Sequence, residues 1–427
     1  NECPEATRQT LIPVNWPGVG FRRSLAFVSG EFMKVFFKHI SIFTALFLAL
    51  MFAAPVQAID LLELPAVKSS AASRTLLLDI TARGDGSHVA VGTFGVIIIS
   101  EDDGQTWEQA DVPSSVTLTA VHFPTPEVGW AVGHDGLILH SSDGGRSWVK
   151  QMDGHELNTQ IIEVAERIVV NSRAELEALQ ADEAADEYDV EDAQFMLEEA
   201  EFALEGAMDD TEAGPVRPLL DVWFRNEREG MVAGSYGMLL VTQDGGDTWS
   251  LESDRMENPE AFHLNRIRDA PDGTIFIAGE SGFVYRSRDN GESWDSLEPG
   301  YEGSYHGLVI VPGEDGAYEL VAYGLQGNVY RSLDQGETWE AVDAGTGATL
   351  LAGTVLADSS VVLAGSGGVI VKRLVGADRF EAANNPDRRI ISDLIQCGQG
   401  NLILVGLGGI RKTAADGQPL ESASCNP

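Results

Sequence analysis

Short apolar runs broken by glycine and aspartate recur along most of the chain, in pairs such as LTAVHF then GWAVG, or LLDVWF then GMVAG. Each pair leads into a G-x-x-G turn and a third apolar run: VGTFGVIIIS, VGHDGLILHS, AGSYGMLLVT, AGESGFVYRS and YGLQGNVYRS, then AGSGGVIVKR and VGLGGIRKT near the end. A shorter fourth run follows, as in WEQADV or WEAVDA. Runs this short, punctuated by turn residues, read as strands rather than helices. The leading glycines are Gly92, Gly133, Gly234, Gly279, Gly324, Gly365 and Gly406, at spacings of 41, 101, 45, 45, 41 and 41. Four strands in each such period describe one blade of a β-propeller. The pattern predicts an all-β fold, a seven-bladed propeller of four-stranded blades, in which closure into a ring removes most of the exposed sheet edge. The last period shows no clear fourth run, and IDLLELPAV at 59–67 is expected to pair there and close the ring.

The 101-residue interval departs from this pattern. Beyond Trp148 the strand alternation gives way to helical spacing, with Leu157, Ile161 and Ile168, then Val190, Leu197, Leu204 and Met208 beside Phe195 and Phe202. Two amphipathic helices, at 157–180 and 190–208, are expected to form a hairpin that projects from blade two or lies over it. Residues 152–214 hold twenty acidic and two basic side chains, nearly half of the net charge of −38. That face is either a solvated surface or a docking arm for a basic partner.

Met33 opens a lysine-bearing, then uncharged apolar stretch that ends in Val56 and Ala58, the form of a secretory signal cleaved after Ala58. The expected organisation is an upstream extension at 1–32 outside the translated protein, a signal peptide at 33–58, blades one and two at 59–151, the hairpin insertion at 152–214 and blades three to seven at 215–427. Cleavage leaves 369 residues with a net charge of −40, since residues 1–58 carry five basic and three acidic groups. So acidic a surface disfavours nucleic acid and bare anionic membrane as partners. Cys397 and Cys425 are a disulfide candidate in an exported chain, with two unpaired thiols as the alternative. The eight histidines are scattered and no ligand cluster is apparent, so no metal or cofactor is expected.

Five periods carry the box [ST]-x-D-x-G-x-[ST]-W, as SEDDGQTW, SSDGGRSW, TQDGGDTW, SRDNGESW and SLDQGETW. Its aspartates are Asp102, Asp143, Asp244, Asp289 and Asp334; its tryptophans are Trp107, Trp148, Trp249, Trp294 and Trp339. Glycine supplies a backbone conformation other residues resist, aspartate accepts amide hydrogen bonds within its own turn, and tryptophan buries a large ring between sheets. Five equal copies fit a structural part better than a catalytic set, which is needed once.

These boxes resemble the Asp-box, or BNR repeat, and their order within the period resembles the Ycf48/HCF136 family of photosystem II assembly factors, over about residues 75–412 apart from the insertion. The resemblance implies a non-catalytic seven-bladed propeller, exported across a membrane, that holds a membrane protein during assembly. Photosynthetic members of that family dock through an arginine-rich patch, whereas this chain is acidic and carries an insertion. Bacterial relatives with a helical insertion are similar to proteins found beside transporters of the resistance-nodulation-division (RND) class. The alternative is a sialidase-like propeller that binds or cleaves glycans. Sialidases resemble one another in an F-R-I-P segment, absent here, while Tyr236, Tyr285, Tyr305, Tyr323 and Tyr330 all lie in repeat turns or strands.

A second surface comes from aligning the periods. The residue before each box start is a cation in three consecutive copies, Arg286, Arg331 and Lys372, with Arg288 and Arg373 nearby. These five could hold an acidic segment or a carboxylate, or they could neutralise acidic groups on adjacent blades. The sequence therefore reads as a periplasmic, non-enzymatic scaffold for an envelope membrane-protein complex, a monomer outside that complex, with no small-molecule substrate.

Overall fold

A computed structural model describes residues 60–383, 387–418 and Leu420. The signal-peptide reading, the upstream extension and Cys425 all lie outside the described residues. Strands form seven antiparallel sheets in which the chain runs outward from one strand to the next; six sheets have four strands and the last has three. The first strands are Leu77–Ala82, Leu118–His122, Leu219–Phe224, Leu264–Asp269, Tyr305–Pro312, Leu350–Val355 and Ile391–Gln396. Each packs against the next, and the last returns to the first, which is the arrangement of a β-propeller.

The core consists of apolar layers between adjacent sheets. Val89, Val91, Leu118, Val121 and Trp148 fill one such layer, between blades one and two. The seam where first and last blades meet is filled by Ile80, Ala90, Ile98, Cys397, Ile403 and Val405. Polar ties reinforce that seam: the Gly398 amide donates to Asp103 Oδ1 at 2.8 Å and the Ile410 amide donates to the Ser73 carbonyl at 3.0 Å.

The G-x-x-G turn has a steric reason for its first glycine. A Cβ at Gly92 would stand 2.2 Å from the Leu76 carbonyl oxygen, and one at Gly324 would stand 2.1 Å from that of Ser304. The chain just before the first strand thus presses on the turn of its own blade at Gly92, Gly133, Gly324, Gly365 and Gly406, where only glycine is accommodated.

One expectation fails here. Segment 60–67 does not supply a fourth strand to blade seven; it runs along the connection between blades one and two. The Ser115 amide donates to the Leu61 carbonyl at 3.0 Å, the Ala66 amide donates to the Val112 carbonyl at 3.1 Å, and Leu62 is buried in the layer that includes Val116 and Leu118. The apolar slot that Leu62 fills decides the outcome, since burial of one such side chain stabilises by about 2 kcal/mol. Blade seven keeps three strands among the described residues.

The insertion is a helical hairpin, α1 at Gly154–Ala181 and α2 at Glu187–Ala213. Both helices extend beyond the apolar spacing that predicted them. Asp153 and Asp186 cap their N-termini, accepting from the amides of His155 and Tyr188 at 3.0 Å each, so regular structure begins before the first apolar residue. Leu157 is buried with Trp130, Leu219 and Trp249, and Ile161 and Val164 pack against the same layer. Gln160 continues the sheet pattern: its side-chain amide donates to the Trp249 carbonyl at 2.9 Å and accepts from the Leu251 amide at 3.1 Å. The hairpin therefore lies against blades two and three through α1, and α2 stacks on α1.

Candidate functional site

All five boxes share one hydrogen-bond pattern. In the first, Ser100 Oγ accepts from the Gly104 amide at 2.8 Å and donates to Asp102 Oδ1 at 2.8 Å. Asp102 then accepts from the Thr106 amide at 2.8 Å and from its hydroxyl at 2.6 Å. Asp143, Asp244, Asp289 and Asp334 repeat these bonds with the Ser or Thr two residues before and four residues after each. The hydroxyl and amide of Thr106 hold Asp102 down to about 2; Thr248 and Thr338 do the same for Asp244 and Asp334. Trp148, Trp249 and Trp294 are buried between blades, while Trp107 and Trp339 pack at the margins of two such layers. In this geometry both carboxylate oxygens are engaged within their own turn.

The predicted cations of blades four to six meet acidic partners. Buried Arg286 bridges Asp295 at 2.8 Å and Glu337 at 3.0 Å, and Arg288 bridges the same two carboxylates at 3.1 and 2.8 Å. Arg331 pairs with Glu340, and Lys372 stands 3.9 Å from Asp358. Arg373, also buried, makes two parallel bonds to Glu319 at 2.6 and 2.7 Å and lies over the Phe380 ring. Arg286 ties blade four to blade five, and Arg373 ties blade six to blade five. Cys397 is buried in the closing seam.

A further cluster, absent from the sequence reading, occupies the axis. In every first strand a register shift brackets the second residue, so the third is re-aimed. The third residues are Asp79, Ala120, Asp221, Arg266, Gly307, Ala352 and Asp393. Arg266 reaches from blade four to Asp79 at 3.0 Å, Asp393 at 3.1 Å and Asp221 at 3.7 Å, all of them buried. Each aspartate also accepts an amide from the following blade: Val121 donates to Asp79 at 2.8 Å, Ile267 to Asp221 at 2.7 Å and Ile80 to Asp393 at 3.4 Å.

Burial pushes the Asp393 carboxyl well above its ordinary range. Burial also opposes ionisation of Asp79, but Arg266 and hydrogen bonds from the Asp393 side chain and the Val121 amide carry Asp79 below its ordinary value. Burial raises Asp221 as well, against the pull of Arg266 and Arg268. These groups line an axial cavity of about 370 Å³ together with His122 and Trp223. His122 accepts the Phe224 amide through Nδ1 at 3.1 Å, and burial and Arg268 push its pKa down to about 4. The hydrogen bonds of this cluster run from blade to blade. A signal for it exists: Asp79, Asp221, Arg266 and Asp393 all stand thirteen residues before a leading glycine. Among the described residues no group of three or more His, Cys, Asp or Glu could hold a metal ion.

The hairpin carries the third feature. Its acidic surface is joined to the ring by Arg167 near Asp254 at 3.7 Å, and α1 is joined to α2 by Arg173 and Glu201 at 2.6 Å. No described helix is long and apolar enough to cross a membrane.

Comparison with known proteins agrees with this architecture. The family model described as photosynthesis system II assembly factor YCF48 matches residues 63–139, 105–170 and 210–378, leaving most of the hairpin outside the matched stretches. The photosystem II assembly lipoprotein Ycf48 of Synechococcus sp. (strain CC9902) is 35% identical over 88 residues, 21% of this chain and 25% of that protein. The chloroplastic photosystem II stability/assembly factor HCF136 of Arabidopsis thaliana is 34% identical over 68 residues, 16% of each chain. The matched stretch thus spans a quarter or less of these curated relatives. Among solved structures, YCF48 bound to D1 peptide superposes with a TM-score of 0.53 at 16% identity, over 80% of this chain and 94% of that one. The WD40 β-propeller domain of Doa1 superposes equally, at 0.53 with 9% identity, over 82% of this chain and 94% of that one.

Proposed function

The chain belongs to the family of photosynthesis system II assembly factor YCF48, and from that premise we propose that it is a non-catalytic scaffold for assembly of an envelope membrane-protein complex. In this reading the ring is a closed seven-bladed platform, exported with cleavage after Ala58, and the hairpin is its docking arm. A single observation carries the reading: the hairpin lies against blades two and three through α1, while α2 turns a strongly acidic surface to solvent. The partner is either a photosystem II subunit, as the D1 peptide bound by a structural relative suggests, or a transporter of the RND class. The cations of blades four to six are a second candidate surface, most of them engaged in blade-to-blade pairs.

Affinity capture from detergent-solubilised envelope tests this reading, with the full chain and a form lacking 154–213 as parallel baits and mass spectrometry as the readout. The expected result is an integral membrane protein retained by the first bait and lost from the second. Retention by both baits, abolished by charge reversal at Arg288 and Arg331, moves docking to blades four to six. If neither bait retains a membrane protein, the scaffold reading falls.

A further inference from the structure

We propose that the outward face of α2 receives a basic helical segment of a partner protein, whose lysines and arginines lie over a row of aromatic rings and pair with the carboxylates between them. This deepens the scaffold reading, on which it rests, by naming the chemistry of the partner. Tyr188, Phe195 and Phe202 are 73, 58 and 72% exposed and follow one another at intervals of seven residues. Ala193, Ala200 and Ala207, which face the opposite way, are buried, as are Val169 and Leu176 of α1. The rings are therefore directed to solvent, away from the hairpin's own seam. Three large rings exposed in a row along one helix are not needed to fold the hairpin, and large exposed rings on one face mark a candidate interaction site.

The acidic residues are placed in register with the rings. Glu191 and Asp192 stand three and four residues after Tyr188, Glu198 and Glu199 three and four after Phe195, and Glu205 three after Phe202. On a helix those offsets share a face, so the surface alternates ring, carboxylate pair, ring, carboxylate pair, ring. A cation placed over a ring is stabilised by the ring's quadrupole and by the neighbouring carboxylates together. Ring-to-ring spacing is about 10.5 Å, two turns of a facing helix, so cations at seven-residue intervals would meet successive rings. Charge also selects among occupants. Residues 154–213 carry nineteen acidic and two basic side chains, which sets a second copy, an anionic lipid surface and a nucleic acid against electrostatic repulsion.

The test uses the full chain and a fluorescein-labelled 21-residue peptide of about six turns, with arginine and lysine at seven-residue intervals on an alanine background, read by anisotropy at two salt concentrations. Two variants accompany it: Tyr188→Ser, Phe195→Ser, Phe202→Ser together, and Glu191→Gln, Asp192→Asn, Glu198→Gln, Glu199→Gln together. Circular dichroism checks that both retain the hairpin. The expected result is saturable binding that weakens about tenfold in the aromatic variant and loses most of its salt dependence in the carboxylate variant. Equal binding by the aromatic variant overturns the proposal. So does binding of phosphatidylglycerol vesicles, or a dimer in sedimentation, that the aromatic variant abolishes. The two readings fail separately: a membrane protein captured equally by the wild type and the aromatic variant removes this inference and leaves the scaffold, whereas saturable peptide binding without any captured membrane protein does the reverse.

Discussion

Ring and hairpin use charge in opposite ways. At the axis, Arg266 stands among buried Asp79, Asp221 and Asp393, each of which also accepts a backbone amide. On the hairpin, carboxylates outnumber cations and most face solvent, with Arg173 and Glu201 half-exposed where they meet. Charge that is buried and paired holds blades to one another, because removing either partner leaves an uncompensated ion in a poor solvent. Charge that is exposed and of one sign does little for the fold and much for encounter with an oppositely charged surface. Buried pairing thus serves stability in the ring, and the proposed docking role rests on the exposed charge of the hairpin.

The largest expected effect breaks the ring side of that division. Arg266→Met removes the cation that Asp79, Asp221 and Asp393 share and should lower stability by about 3–5 kcal/mol in urea unfolding; a loss under about 1 kcal/mol would show that the axial pairs do not hold the blades. Trp148→Ala empties the layer between blades one and two and should cost about 3–5 kcal/mol by the same measurement.

The pH dependence sharpens the picture. The His122 pKa lies at about 4 in the fold, below its ordinary 6.5. The unfolded chain therefore binds the extra proton first, and the contribution is present above about pH 6.5 and lost as pH falls toward 4. Thermal melts across that window should show a decline that His122→Gln flattens; an unchanged slope would place the titration elsewhere. At the small end, Arg173→Ala on the hairpin should change stability by less than about 1 kcal/mol, as exposed pairs do. A larger loss would make the arm part of the ring's own stability and end the contrast.

The parts legible in the sequence were those with a local cause. The G-x-x-G turns, the boxes and the helical spacing of 157–208 each answer to backbone conformation or one-face burial within a few residues. The position of 60–67 was not legible, because its partners at 112 and 115 lie across a connection and Leu62 fits a slot made by two blades. The cations of blades four to six were visible, but their carboxylates were not. Glu337 comes from the next blade's box and Glu319 from a neighbouring sheet, and only packing joins them to Arg286 and Arg373. At the axis the thirteen-residue offset is present in the text, yet Ala120 and Ala352 fill it in two blades and Gly307 stands seventeen residues before its glycine. The charged members thus read as isolated residues until the ring brings them together.

The two ends of the insertion touch. Gly154 lies so near Pro215 that a Cβ on it would stand 2.3 Å from the proline's, and Asn158 donates to the Gly214 carbonyl at 3.4 Å. A segment that leaves and rejoins its host at one point asks for no rearrangement of the host, and its closure entropy is nearly independent of its length. Such an arm can be gained, lengthened or exchanged as a unit while the ring's geometry is preserved. The same platform can then be retargeted in evolution, or by grafting, without being refolded.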